Sequence, residues 1–209
     1  MKFLIADDFP LFRRGVRDIL TDGFGVITVG ECDNSHDLLQ MVRKKKWDVV
    51  ILDITMPGST GTETLKQLKL ECPKLPVVVV SMHPEDQYAI RMFKAGASGY
   101  LTKCSAPEEL LKAVKKVLAG GQYVSTSFGE KLLSALRVSP ETVLHEQLSD
   151  REYEVMRLIA SGKTVSEIAD MMHLGVTTIS TYRARILEKM NLKNNAEMTR
   201  YALKGGLVD

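Results

Sequence analysis

Apolar residues in the first 120 positions follow two alternating rhythms. Short runs, many of them β-branched, stand at Phe3 to Ala6, Val26 to Gly30, Val49 to Leu52, Val77 to Val80 and Gly99 to Leu101. Between them, Leu11 to Leu20, Ser35 to Lys44, Thr62 to Leu70, Asp86 to Ala95 and Pro107 to Leu118 carry apolar residues about three or four positions apart. The first set predicts strands, the second amphipathic helices laid on a sheet. Strand starts roughly two dozen residues apart suit βα units rather than hairpins. An open, doubly wound sheet of five parallel strands, buried on both faces, is expected.

After Gly120-Gly121 this rhythm stops. Gln122 to Gln147 contains Ser125, Thr126, Ser127, Ser139 and Pro140 and reads as a linker, with Glu130 to Leu136 as the one stretch suited to a short helix. From Leu148 the period is helical throughout. Ser149 with Glu152, and Thr164 with Glu167, fit the S/T-x-x-E capping box, so two helices should begin near Ser149 and Thr164. A third is expected from about Thr177 to Met190 and a fourth from about Asn195 to Lys204. The chain thus divides into an α/β domain at 1–121, a linker at 122–147 and an all-α domain at 148–209.

Composition changes this picture little. The 209 residues are 44% hydrophobic and 26% charged, ordinary values for a globular protein. No apolar run approaches the roughly 18 residues that span a bilayer, and MKFLIADD turns acidic too early for a secretory signal, so a cytoplasmic protein with no membrane partner is expected. Cys32, Cys72 and Cys104 are odd in number and lack zinc-site spacing, which predicts free thiols. The net charge of +2 is weak, and Lys+Arg exceed Asp+Glu by 17 to 15 in residues 1–120 and by 9 to 8 in 148–209. Charge therefore does not single out a nucleic-acid-binding domain. The run Arg43-Lys44-Lys45-Lys46 ends a helix, where cations suit the dipole, with Trp47 packing behind it.

Chemistry enters at the strand ends. Asp7 and Asp8 close the first strand, and Asp53 closes the very apolar VVIL. In a doubly wound sheet the first and third strands are neighbours at the switch point, where ligands bind beyond the carboxyl ends. Three crowded carboxylates call for a hard cation with oxygen ligands, for which Mg²⁺ is the natural candidate. Ser81 and Lys103 end the fourth and fifth strands and bring a hydroxyl and an ammonium to the same rim. Such a set suits a phosphoryl group: Asp53 would attack phosphorus in a small donor or a phosphohistidine, with Mg²⁺ and Lys103 neutralising the equatorial oxygens and Ser81 donating to one of them.

Residues 1 to about 120 resemble the receiver domain of a two-component response regulator, through DD at 7 and 8, LDITMPG at 52 to 58, Ser81, and GYLTK at 99 to 103. The resemblance implies a flavodoxin-like fold and a cognate sensor histidine kinase. It further implies Asp53 as phosphoacceptor, Mg²⁺ held by Asp7, Asp8, Asp53 and the Thr55 carbonyl, Ser81 and Lys103 at the phosphoryl group, and Ser81 with Tyr100 as the switch pair. His83 falls where receivers can tune loss of the phosphoryl group, although a histidine opening a loop is ordinarily solvated. Where many receivers have a cis proline after the lysine, this chain has Cys104. Pro57-Gly58 should turn the chain away from the site.

In the C-terminal domain, Val155, Leu158 and Ile159, then Ile168, Ala169 and Met172, then Ile179, Ile186 and Leu187 form helical faces able to bury one another. The short connection His173 to Val176 suits a helix-turn-helix. Thr177, Thr178, Ser180, Thr181, Tyr182, Arg183 and Arg185 crowd the next helix with donors and positive charge. LSDRE at 148 to 152, EIA at 167 to 169, Thr178 to Arg183 and Ile186 to Met190 resemble the LuxR-type helix-turn-helix, and the whole chain resembles the NarL/FixJ response regulators. By position Ser180, Thr181 and Ala184 would face bases, while Thr177, Thr178, Tyr182, Arg183 and Arg185 would hold phosphates. Ser180 and Gly175 depart from the lysine and serine common in the family, so base preference does not transfer.

The resemblance implies a homodimer on dyad-symmetric promoter half-sites, paired through the helix at Leu192 to Leu203, with Met198, Tyr201 and Ala202 as the expected face; packing within the monomer is the alternative. A phosphorylation-dependent transcriptional regulator follows. The other readings are a constitutive DNA-binding regulator with an inert receiver and an aspartyl-phosphate hydrolase. The latter needs an acid/base beside Asp53, for which Thr55 is poorly suited, so no enzyme is expected.

Overall fold

All five expected strands form. In the computed structural model, which describes residues 1–56, 60–126, 128–130 and 144–208, they are β1 (Lys2–Ala6), β2 (Thr28–Cys32), β3 (Val49–Asp53), β4 (Val77–Ser81) and β5 (Gly99–Thr102). They make one parallel sheet in the order β2-β1-β3-β4-β5. The helices between them are α1 (Pro10–Phe24), α2 (Ser35–Lys44), α3 (Gly61–Glu71), α4 (Glu85–Lys94) and, last, α5 (Pro107–Leu118).

One strand is displaced from its expected place. The apolar run Val26 to Gly30 predicts β2 two residues too early, and Val26 is 99% exposed. Pairing with β1 sets the strand instead: Lys2 lies opposite Thr28 and Ala6 opposite Cys32, which turns Gly30 and Cys32 inward. Trp47 lies behind the end of α2, its ring against Gly30 and its Nε1 donating to the Met41 carbonyl at 3.1 Å. Arg43 pairs with Glu71 on α3 at 2.5 Å, in keeping with a helix end rather than a nucleic-acid patch.

On one face of the sheet Phe3, Ile5, Val49, Ile51, Val78 and Val80 pack with Val16 and Leu20 of α1 and with Leu110, Val114 and Val117 of α5. The alternate residues Leu4, Val50, Leu52, Val79 and Tyr100 are equally buried, as strands covered on both faces require. Beyond α5, Tyr123 bridges to Gly99 as a parallel partner, and its hydroxyl bonds Glu109. The Ser125 amide and hydroxyl both donate to Glu85 at the start of α4. Apart from Glu130, the short helix considered at Glu130 to Leu136 lies outside the described residues, as does the turn at Pro57-Gly58.

Contacts divide the chain into two units between Arg137 and Val138. The second holds a 3-10 turn (Leu144–Gln147) and helices α6 (Asp150–Ala160), α7 (Val165–Met172), α8 (Val176–Lys189) and α9 (Asn195–Lys204). Both expected capping boxes close, Ser149 with Glu152 and Thr164 with Glu167. His173 takes a left-handed conformation (φ 52°) to end α7, three residues before α8 begins.

The expected dimer face packs within the helical unit instead. Met198 and Ala202 are fully buried within this unit, and the Tyr201 hydroxyl meets His145 Nδ1 at 3.0 Å. An amphipathic helix looks the same in sequence whether its apolar stripe covers its own chain or a partner, and here α9 packs on α6. Among the described residues no helix is long and apolar enough to cross a membrane.

Candidate functional site

The sheet order places β1 beside β3, so the residues that follow their last pair, Ala6 and Leu52, emerge together. Carboxylate oxygens of Asp7, Asp8 and Asp53 lie within 4.8 Å of one another. Asp7 and Asp53 are almost fully buried, 2% and 1% exposed. From the other side β5 delivers Lys103. Its amide donates to the Ser81 carbonyl at 2.7 Å, which continues the pairing of β4 with β5 past the strand ends. Its Nζ donates to Asp53 Oδ2 at 2.7 Å and lies 2.7 Å from Asp7 Oδ2.

One ammonium does not satisfy three acids. Asp7 Oδ2 and Asp8 Oδ1 are buried with no aligned hydrogen-bond partner among the described residues, although the Lys103 ammonium lies beside Asp7 Oδ2 as an ion-pair partner. Burial pushes the Asp7 carboxyl above its ordinary value, against the opposing pull of Lys103 and the Phe9 amide. Burial would lower the Lys103 ammonium, but Asp53 and Asp7 outweigh it and raise the pKa. Orphaned, crowded oxygens on a hard donor set are what a divalent cation with oxygen preference requires. These residues fit such an ion.

Backbone amides fix both acids two residues upstream. Phe9 N–H donates to Asp7 Oδ1 at 2.8 Å, and Thr55 N–H donates to Asp53 Oδ1 at 2.9 Å. The Thr55 hydroxyl also lies 2.8 Å from each Asp53 oxygen. Nothing in the sequence marks this contact: Thr55 is expected at the site for its carbonyl and is poorly suited as an acid/base, and D-x-T spacing is too common to mark a site. Ser81 is buried, and its Oγ accepts from His83 N–H at 3.1 Å. Tyr100 is fully buried and donates its hydroxyl to the His83 carbonyl at 2.9 Å. The two expected switch residues therefore meet on one backbone unit. The His83 ring is not simply solvated but stacks on Tyr88 with centroids 4.4 Å apart. Cys104 is exposed, and no described peptide bond is cis.

On α8, Ile179 and Ile186 are buried while Thr177, Thr178, Ser180, Thr181, Ala184 and Arg185 are exposed and Tyr182 and Arg183 half-buried. The helix thus turns its polar, basic side away from the unit's core. Two of these side chains are already engaged. Thr181 Oγ1 donates to the Thr177 carbonyl at 2.9 Å, and Arg183 Nε donates to Asn195 Oδ1 at 2.6 Å, tying α8 to the first turn of α9.

Comparison with known proteins covers both units. The response regulator receiver domain family matches residues 3–115, and the luxR family of bacterial regulatory proteins matches residues 146–202. Response regulator GacA of Pseudomonas aeruginosa is 36% identical over 210 residues, spanning 100% of this chain and 98% of that protein. Response regulator UvrY of Escherichia coli K12 is 32% identical over 207 residues, spanning 99% and 95%. RcsB of Salmonella enterica serovar Typhimurium, solved bound to promoter P1flhDC in the presence of phosphomimetic BeF3-, superposes with a TM-score of 0.61 at 28% identity, covering 96% of this chain and 97% of that one.

Proposed function

The chain belongs to the two-component response regulators that join a receiver domain to a luxR-family domain, and is a phosphorylation-regulated transcription factor; from that premise we propose that Asp53 is its phosphoacceptor. An Asp53 oxygen attacks phosphorus, the new O–P bond forms, and the bond to the donor breaks with its electron pair leaving on acetate or on a histidine nitrogen. The carrying observation is the buried Asp53 carboxylate at the end of β3, contacted by Lys103 and bordered by the orphaned oxygens of Asp7 and Asp8.

Asp7, Asp8, Asp53 and the Thr55 carbonyl would hold Mg²⁺, which offsets the charge gathering on the phosphoryl oxygens. Lys103 neutralises the same oxygens and Ser81 donates to one of them. As Ser81 turns inward its hold on the His83 amide is lost, and Tyr100 feels the change through the His83 carbonyl. The donor is a cognate sensor histidine kinase in the cytoplasm. Residues 1–121 act as receiver, 122–147 as linker and 148–209 as DNA-binding domain.

In that last domain α8 would enter the major groove, Ser180, Thr181 and Ala184 facing bases and Thr177, Thr178, Tyr182, Arg183 and Arg185 holding phosphates. The likeness to DNA-bound RcsB supports a homodimer on dyad-related half-sites. Acetyl phosphate with Mg²⁺, read by intact mass, tests the centre: wild type gains one phosphoryl group and Asp53→Ala none. An adduct persisting on Asp53→Ala would overturn the assignment, and no adduct on wild type would favour an inert receiver.

A further inference from the structure

Beside the acidic pocket stands a phenylalanine that the core does not need. Phe9 is 59% exposed, yet its ring centroid lies 4.9 Å from Lys103 Nζ. The Phe12 centroid lies 4.7 Å from the same nitrogen. The lysine between these rings and the carboxylates is only 7% exposed along its side chain. Local structure explains the pairing. Phe9 caps the N-terminus of α1 and Phe12 follows three residues later, a spacing that stacks side chains on one side of a first turn. The Phe9 amide, bonded to Asp7 Oδ1 at 2.8 Å, ties the root of its side chain to the pocket itself.

We propose that Phe9 and Phe12 are positioning residues that hold the Lys103 ammonium over the phosphorylation site by cation–π attraction. The inference rests on Asp53 as phosphoacceptor and Lys103 as the cation on the phosphoryl oxygens. A cation within about 6 Å of an aromatic centroid is drawn to the ring face, more strongly when water is excluded. That attraction has little directional demand. The ammonium keeps its N–H groups for carboxylate or phosphoryl oxygens, and it can pass from Asp7 to an incoming phosphoryl oxygen without returning to water. A leucine would preserve the apolar cover but not the ring quadrupole, which separates this role from simple burial.

The test uses the full chain with acetyl phosphate and Mg²⁺, reading the initial rate of adduct formation by intact mass. Phe9→Leu is expected to slow it about three- to tenfold, while Phe9→Tyr, which keeps a ring, restores most of the rate. Lys103→Met supplies the decisive background. There, Phe9→Leu should change neither the residual rate nor the affinity for beryllofluoride with Mg²⁺, measured calorimetrically, because the cation it acts through is gone. Phe12 also packs on the core, so Phe12→Leu is read only relative to its own folded fraction, and Phe9 alone suffices for the decision. A wild-type rate in Phe9→Leu, or an equal loss in both backgrounds, overturns the inference while leaving Asp53 in place. No adduct on wild type overturns the phosphoacceptor reading and takes this one with it.

Discussion

Each unit of the protein holds a lysine against a buried carboxylate, and the two contacts differ in what they leave over. In the helical unit Glu152 is 2% exposed, and one oxygen accepts from both Lys189 Nζ at 2.6 Å and Ser149 N–H at 2.8 Å. This closes the cap of α6 and ties it to the last turn of α8. In the receiver Lys103 faces Asp53 and Asp7, while Asp7 Oδ2 and Asp8 Oδ1 stay buried without an aligned partner. Burial opposes ionisation at both Asp7 and Glu152. It prevails at Asp7, whose pKa is raised, and is outweighed at Glu152 by Lys189 and Ser149, so that pKa is lowered. The sequence shows acid and lysine in both places; only the unsatisfied oxygens separate a ligand site from a brace.

The largest effect tests the brace. Glu152→Ala removes a cap and a charge-assisted hydrogen bond together and should cost the helical unit about 2–3 kcal/mol. Trp47 is the single tryptophan and belongs to the receiver, so its emission reports that unit alone during urea unfolding. Far-UV ellipticity should show the helical transition moving to lower urea with the Trp47 transition unmoved. The pH dependence has a definite sign. A lowered folded pKa gives stability that is complete above the ordinary carboxylate value and lost as pH falls through the folded one, so wild type and Glu152→Gln should converge toward acid. A constant gap down to the lowest pH would show that the charge on Glu152 contributes nothing.

The receiver should respond in the opposite direction. Asp8→Asn removes one of three crowded acids and should raise metal-free stability by about 1 kcal/mol, read from Trp47. In wild type, Mg²⁺ at 100 times its dissociation constant should add about 2.7 kcal/mol; in Asp8→Asn that gain should largely vanish. If metal-free Asp8→Asn were less stable than wild type, the pocket would be a brace like Glu152 and the comparison would collapse.

The strand ends were legible because carboxylate, hydroxyl and ammonium each terminate an apolar run, and a parallel sheet gathers such ends on one edge. The register of β2 was not, because Val26 and Ile27 extend the apolar run toward the helix while Thr28 to Cys32 pair with β1. Nor is the capping box of Thr60 with Glu63 apparent, since the apolar period of α3 begins only at Thr62. In the site, Asp7, Asp8, Asp53, Ser81 and Lys103 stand where their positions in sequence put them. Phe9, Phe12 and the Thr55 hydroxyl act through side-chain directions that no periodicity encodes. Burial of Met198 and Ala202 was hidden for a related reason, as an apolar stripe does not name what covers it.

Arg183 stands between the two cases, and the smallest predicted effect is found there. Its Nε is committed to Asn195 Oδ1 at 2.6 Å, yet it lies half-buried on the polar side of α8. If it holds a phosphate, Arg183→Ala should weaken binding on every sequence and reduce the slope of log K against log salt by about 0.9. Asn195→Ala keeps the charge and removes only the anchor. It should weaken binding by about two- to threefold, the scale of a modest hydrogen bond, and leave the slope as it was. Anisotropy titrations of a labelled promoter fragment at several salt concentrations separate the two. An unchanged slope in Arg183→Ala would make its bond to Asn195 a brace like Glu152, and would leave Arg185, exposed two residues further on, as the better candidate for the phosphate contact.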